Sequence, residues 1–470
     1  MGSLPSADRT RHARRLPQGA AAATKPARGL TAWRTRRAGR RPPPAGSRLL
    51  VLLVLAGVWT AAATSQREQA QPVTTTASRR TPARTPVDLR AVAAGARPAG
   101  RPSSAAVEVR VPPMTAVVRV APAAQLRRPT PTPTPMTRSF TVLASGDVLA
   151  HRSVVDRARA YGARSGRSYD FGPMFAAIRP LVSAADLAVC HLETPLSPTG
   201  RNLSGYPRFN APPQLAAALG AAGYDACSVA SNHSMDQGVQ GVAGTLAVLD
   251  KAGLRHAGTG RSPREARPRL LTVRGVRVAL LSYTYGLNGF RLPRGRPWLV
   301  NLIRPGRILA DARAARRAGS QFTVVFLHWG QEYRSTPTPA QRRLANTLLG
   351  DPAVDLIVGH HAHVVQPVRR IHGKWVAFGM GNSVSAQSAA CCPAATQDGV
   401  LLQVTVVRKA GRFVVGAVGY TPTWVEHPSY RIHPVPQALA SGSASPAMLR
   451  ASLGRTTAAV GRAAHLATRR

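Results

Sequence analysis

The chain reads as an α/β protein in which mixed sheets are covered by helices, and three features of its sequence predict this. Short apolar runs alternate with helix-like segments in the earlier part of the region 138–435, as strand–helix–strand units do. Later, β-branched runs are separated by short turns at Arg274-Gly275, His372-Gly373 and Lys409-Ala410-Gly411, the signature of hairpins. Five apolar runs also end on an Asp, Glu, Asn or His, and in open α/β sheets ligands bind outside the carboxyl ends of the strands.

Residues 139–144 read as the first strand, turning at Gly146-Asp147. Residues 175–182 are helical apart from Pro180, and 185–190 form a second strand that ends at His191-Leu192-Glu193. Residues 213–222 are a helix closed by Gly223, a good terminator. The run 226–229 leads into Ser231-Asn232-His233-Ser234-Met235-Asp236-Gln237-Gly238, and Val239, Val242, Leu246 and Leu249 follow at helical spacing until Gly253. A hairpin spans 269–281. Helices at 307–318 and 340–349 flank the strand 322–327, which ends at His328-Trp329-Gly330, while 356–358 ends at Gly359-His360-His361-Ala362-His363. Two more hairpins finish the domain, and residues 436–470, rich in Ala, Ser and Arg, read as a weakly ordered tail or an amphipathic helix.

Three segments precede this domain. Residues 1–48 hold 12 basic residues against one acid. Residues 49–64 are uncharged and mostly apolar, about as long as the shortest membrane-spanning helices of roughly 17 residues. Arginine on the amino-terminal side places that end in the cytoplasm. Ala61-Ala62-Ala63 resembles a cleavage site, so a signal peptide core and a signal anchor both fit, as does a start upstream of the natural one; the long preceding segment favours the anchor. The expected location is therefore the cell membrane, single-pass with an extracytoplasmic domain, or alternatively secretion. Residues 65–137 are a Pro/Thr/Ala/Arg-rich linker closing with the Pro-Thr alternation from Pro129 to Pro135, which favours extended polyproline conformations.

The net charge of the 470-residue chain is +44, and 59 of its 63 basic residues are Arg. Residues 138–470 alone carry 40 basic and 15 acidic residues, net +25, and such a surface attracts polyanions. Nucleic acid is not the expected one: there is no helix-turn-helix, zinc-finger or RNA-binding signature, and aromatic content is 5%. Among the four Cys there is no zinc-type spacing. Cys190 and Cys227 read as buried small residues, and the adjacent Cys391 and Cys392 as loop thiols open to pairing in an oxidising exterior.

Carboxylate, imidazole and amide oxygen together suit Mn, Fe, Zn or Co. Two such ions, held by a bridging carboxylate and terminal ligands, clamp a phosphoryl group and activate a water. Asp147, Glu193, Asn232, His328, His361 and His363 supply those ligand types; spacing selects His361 and His363 from the three imidazoles at 360–363. Taken singly, Asp147 could cap a turn, Glu193 could pair with an Arg, and Asn232 could cap the following helix. Trp329 is as easily a packing residue, and Glu332 and Tyr333 are placed to orient a substrate.

Six ordered motifs, Gly146-Asp147-Val148, Leu192-Glu193-Thr194-Pro195-Leu196, Ala230 to Gly238, His328-Trp329-Gly330-Gln331-Glu332-Tyr333, Gly359-His360-His361-Ala362-His363 and Gly379-Met380-Gly381-Asn382, resemble the CapA-type poly-gamma-glutamate capsule-synthesis proteins of the calcineurin-like metallophosphatase superfamily. The resemblance covers roughly residues 138–425. It implies a four-layer metallophosphatase-like sandwich of two mixed sheets flanked by helices, two divalent metal ions, a phosphate ester or anionic polymer as substrate, and capsule-synthesis membrane proteins as partners.

Carried over, Asp147 becomes a ligand of the first metal and Glu193 the bridging carboxylate, in place of the superfamily's usual Asp. Asn232 and His328 would bind the second metal, with His361 and His363 one on each. His233 would protonate the leaving group or stabilise the phosphoryl oxygens, oriented by Asp236. Three positions depart from the pattern. Leu149 stands where a metal-binding His is usual, leaving that place to His151 or water. His191 stands where Asn is usual, as an added ligand or a simple replacement. Ser383 follows Gly381-Asn382 where Phe is frequent.

Overall fold

Along β1 (Ser139–Val148) the side chains alternate between two cores, as the period of a strand requires. Phe140, Val142 and Ala144 enter one, Leu143 the other. This structure, a computed structural model, describes residues 139–467. The expected segments 1–48, 49–64 and 65–137 lie outside them. Among the described residues no helix is long and apolar enough to cross a membrane.

After β1 come helices α1 (Arg152–Ala163), α2 (Gly172–Phe175) and α3 (Arg179–Ser183), then β2 (Leu187–Leu192), α4 (Gln214–Ala221), β3 (Ala226–Ser228), α5 (Gly238–Lys251) and β4 (Arg255–Ala257). The middle of the chain holds β5 (Arg269–Val273), β6 (Val276–Thr284), α6 (Pro305–Arg317), β7 (Phe322–His328), α7 (Pro339–Gly350), β8 (Leu356–His360), β9 (Val368–Ile371) and β10 (Lys374–Ala377). The last part holds β11 (Asn382–Val384), β12 (Asp398–Lys409), β13 (Arg412–Val425), β14 (Ile432–Pro434), α8 (Val435–Ser441), α9 (Pro446–Val460) and β15 (His465–Leu466).

Two mixed sheets result. One runs β14-β13-β12-β1-β2-β3-β4, with β11 beside β1 and β15 beside β13; the other runs β5-β6-β7-β8-β10-β9. Their facing sides share one core: Phe140, Val142 and Val189 from the first sheet meet Val278, Phe322, Val324, Phe326 and Val358 from the second. On the outer face of the first sheet, Cys190, Leu192 and Cys227 pack with Val154, Leu215, Val242 and Leu246 of α1, α4 and α5. On the outer face of the second, Leu281, Val325, Leu327 and Ile357 pack with Ile308, Ala312, Ala345 and Leu348 of α6 and α7. The α/β expectation of two mixed sheets with helices outside holds.

Local chemistry explains several boundaries. Thr338 accepts from the Gln341 amide while the Gln341 side chain returns to Thr338, and Pro339 opens α7, a complete capping box. The hairpins turn on Arg274-Gly275, His372-Gly373 and Ala410-Gly411, each pair with positive φ, so the first residue accepts a left-handed conformation and the glycine follows freely.

Three expectations are refined, and one helix was not foreseen. The single helix at 175–182 is replaced by two short helices, because Pro180 is confined to the first turn of α3 rather than sitting inside a longer one. Helix α1 was not anticipated; only Val154, Val155, Ala158, Tyr161 and Gly162 form its buried side, a short signal among arginines. Of the two readings offered for residues 436–470, the helical one fits the described residues, but as two helices: α8 and α9 pack on the β13 side with Trp424, Val435 and Leu449, and Arg455 forms two hydrogen bonds to Asp398 at 2.6 and 2.9 Å. Cys190 and Cys227 are buried as expected, but as a disulfide: they are register partners on adjacent parallel strands, with Cα atoms 4.5 Å apart.

Candidate metal centre

The parallel strands of both sheets end at one edge, and the register sets which side chains stand level there. Asp147 pairs with His191, and His191 with Ser228, across β1, β2 and β3. Thr284, His328 and His360 stand level across β6, β7 and β8. The pairing of β1 with β11 shifts register between Asp147 and Val148, and such irregularities re-aim side chains near sites.

The structure brings Asp147, Glu193, Asn232, His328, His361 and His363 into one buried cluster. Asp147 Oδ2 accepts the His361 amide at 3.0 Å and lies 3.2 Å from His363 Nδ1. Glu193 Oε1 is 3.8 Å from His363 Nε2 and 3.7 Å from His328 Nε2, so it stands between the imidazole that ends β7 and one in the loop after β8. His328 Nε2 is 2.7 Å from Asn232 Oδ1. His361 and His363 both adopt left-handed backbone, with φ of 87° and 55°, conformations that cost about 1–3 kcal/mol each and concentrate where function demands a particular aim.

The electrostatics favour a cation here. Both carboxylate oxygens of Glu193 are buried without a hydrogen-bond partner. Burial, with further repulsion from Asp147, raises its pKa well above the usual carboxylate range. Burial also opposes the charge on Asp147, yet hydrogen bonds with His360 and His363 hold its carboxyl well below that range. Burial works against a charge on His363, but Glu193 and Asp147 lift its pKa to about 9. His361, buried and repelled by His363, falls to about 3 and keeps one ring nitrogen unprotonated at neutral pH. Three sets of donor atoms lie within 4.8 Å of one another: Asp147, His191 and His360; His191, Glu193 and His328; and Glu193, His361 and His363. Buried carboxylate oxygens without partners, beside the neutral imidazole of His361 and a His363 whose proton a metal would displace, fit a divalent cation.

At the rim, His233 Nδ1 is 2.8 Å from Asp236 Oδ2, in the loop between β3 and α5. Arg208 donates to the Asp236 carbonyl at 2.9 Å and lies over the Phe290 ring, joining this loop to the one after β6.

Other expectations sort by contact. His151 is in none of the donor sets; its Nδ1 accepts the Ala386 amide at 3.2 Å, and Leu149 is buried in the core. Trp329 is a packing residue whose Nε1 donates to the Phe378 carbonyl. Tyr333 stands over His363 with ring centres 6.3 Å apart. Sequence reasoning missed Tyr285, half exposed with its ring 4.5 Å from His361, and Asn288, whose side chain joins Asn232 at 3.1 Å and His233 at 3.4 Å. Asn288 has φ of 49°, and the run Tyr285-Gly286-Leu287-Asn288-Gly289 after a strand end was the available signal.

The fold and this cluster define a two-sheet α/β protein with a buried carboxylate–imidazole centre able to hold metal. The sequence pattern of the bacterial capsule synthesis protein PGA_cap family matches residues 141–387, more than half of the chain. The chain belongs to that family. It is 29% identical over 293 residues to the PGA biosynthesis protein CapA of Bacillus subtilis, covering 60% of this chain and 73% of that one. It is 27% identical over 273 residues to the capsule biosynthesis protein CapA of Bacillus anthracis, covering 56% and 63%. Among solved structures, the calcineurin-like phosphoesterase YfkN of Bacillus subtilis aligns with a TM-score of 0.39 at 12% identity, covering 67% of this chain and 99% of that one.

Proposed function

We propose that the protein is an extracytoplasmic factor of poly-gamma-glutamate capsule synthesis whose cluster holds two divalent ions and carries phosphoesterase-type hydrolysis. The observation that carries this reading is Glu193, a carboxylate buried without hydrogen bonds between His328 and His363. In it, Asp147 would help hold one ion and Asn232 and His328 the other, with His361 and His363 one on each and Glu193 available to both. Bound there, such ions polarise a phosphoryl oxygen and lower the pKa of a water towards neutrality. His233, held by Asp236, presents its Nε2 to a leaving group and donates the proton that group needs. The Cys190–Cys227 disulfide supports a place outside the cytoplasm, where disulfides persist. Attachment through residues 49–64, contact with capsule-synthesis membrane proteins and the choice among Mn, Fe, Zn and Co are parts of the same proposal. The test is the full chain with Mn and a generic phosphomonoester or phosphodiester: hydrolysis that His233→Ala abolishes while metal is retained supports it, and unchanged activity in that variant removes His233 from the mechanism.

A second reading, non-catalytic binding of an anionic polymer, has its own supporting observation. A cavity of about 1130 Å³ between the β4–β5 connection and α6 is lined by Arg261, Arg264, Arg267, Arg269 and Arg307 against only Glu265 and Asp311. Fluorescent poly-gamma-glutamate that binds in low salt, and is lost in Arg264→Glu/Arg267→Glu, supports this reading; salt-insensitive or absent binding overturns it.

A further inference from the structure

Beneath the cluster, between the two sheets, lie two histidines that the proposed ligand set leaves out. His191 on β2 and His360 on β8 are each 1% exposed, and their rings stack with centres 4.0 Å apart at 13°. Each reaches to the opposite sheet. His191 Nε2 is 2.9 Å from His328 Nδ1 on β7, and His360 Nδ1 is 2.7 Å from Asp147 Oδ1 on β1. The two residues so held turn their remaining polar atoms upward: His328 Nε2 to Asn232 and Glu193, Asp147 Oδ2 to His361 and His363.

Proton bookkeeping makes this a one-way arrangement. An ionised Asp147 has no proton, so His360 donates from Nδ1. A His328 that offers a lone pair at Nε2 carries its proton on Nδ1, and His191 Nε2 accepts it. The His191 proton then sits on Nδ1 and is donated to Ser228 Oγ at 2.8 Å, whose hydroxyl donates to the Cys190 carbonyl at 3.3 Å. The chain closes with every donor matched. At its upper end the His328 lone pair meets the Asn232 oxygen, two acceptors 2.7 Å apart that a cation reconciles.

Outer partners of metal-binding histidines are ordinarily carboxylates, carbonyls or waters, and they set tautomer and ring orientation. We propose that in this chain a stacked imidazole pair does that work: His191 is the positioning residue for His328 and His360 the positioning residue for Asp147, so that the ligands of each sheet are aimed by the other sheet. This rests on the metal-site reading above.

The experiment is calorimetric titration of the metal-free full chain with Zn(II), and visible spectroscopy of the Co(II)-loaded chain, for wild type, His191→Ala, His191→Gln and His360→Ala. The expected result is that both alanine variants bind as many ions as wild type but about 10–100-fold more weakly. Each weakens a different binding step, His191→Ala the His328 side and His360→Ala the Asp147 side, with shifted Co(II) bands. His191→Gln, whose amide oxygen can accept from His328 Nδ1, recovers most of the loss; this arm also decides the matter if His191→Ala does not fold. Affinities within twofold of wild type overturn the proposal, as does loss of a whole equivalent of metal, which would make the pair direct ligands. A wild-type chain that binds no Zn(II) overturns the metal-site reading itself.

Discussion

His233 Nδ1 lies 2.8 Å from Asp236 Oδ2, and the same carboxylate oxygen accepts the Phe209 amide at 2.7 Å. A carboxylate on Nδ1 keeps the proton there and leaves Nε2 to exchange a proton with a substrate. His233→Ala should therefore lower kcat by about 10²–10⁴-fold with metal content unchanged, the usual worth of a positioned acid. Asp236→Asn, which keeps the shape and loses the charge, should lower it by less and move the pH profile. Single-turnover rates in excess enzyme measure both.

Glu193 is the only residue common to the two donor sets that include His328 and His363. Glu193→Gln should reduce bound metal more than His361→Ala does, since it removes the shared charge. Elemental analysis of purified chains should find two ions in wild type and fewer in both variants; an unchanged ratio in Glu193→Gln would exclude a bridging carboxylate.

Acid should destabilise the metal-free protein. Burial, with repulsion from His363, lowers His151 to about 4 and His361 to about 3, and burial holds His191 and His328 well below their ordinary value. In the unfolded chain all four protonate near pH 6.5, so between there and pH 4 the unfolded state binds more protons and stability falls as pH drops. Each adds a slope of up to about 1.4 kcal/mol per pH unit. His363 works the other way: lifted to about 9, it stabilises below pH 6.5 and that contribution is lost as pH rises through 9. Urea midpoints at pH 5, 7 and 9 should peak near neutrality, and His151→Asn should flatten the acid limb.

Gly359 has no room for a methyl group. A Cβ there would lie 2.0 Å from the Phe378 carbonyl oxygen and 2.5 Å from Trp329 Nε1. Gly359→Ala should cost at least about 1–3 kcal/mol, as overpacking does, and displace the strand end that carries His360 to His363. Denaturant unfolding together with Zn(II) affinity tests it, because a strand shift weakens both.

The Cys190–Cys227 bond closes a 37-residue separation between neighbouring strands. Removing it in Cys190→Ala/Cys227→Ala should cost about 2–4 kcal/mol. Thiol titration of the denatured, unreduced protein should find two free groups, Cys391 and Cys392, and four after reduction.

Much of this protein was legible before any coordinates. Strand periodicity, turn pairs such as Arg274-Gly275 and helix spacing such as Val242, Leu246 and Leu249 are local signals, and they sufficed for two mixed sheets with helices outside. The residues at the strand ends were readable for a similar reason: an Asp, Asn or His after an apolar run is visible without knowing what it faces. Pairing decided the rest. That Cys190 and Cys227 are bonded follows from β2 and β3 lying side by side in one register, which neither segment announces. That His191 and His360 stack requires two sheets to face each other across a core, and Tyr285 and Asn288 matter only because a loop from the second sheet folds over the edge of the first. The tail became two helices and a strand because Trp424, Val435 and Leu449 bury one another, a gain that no single segment of it offers alone.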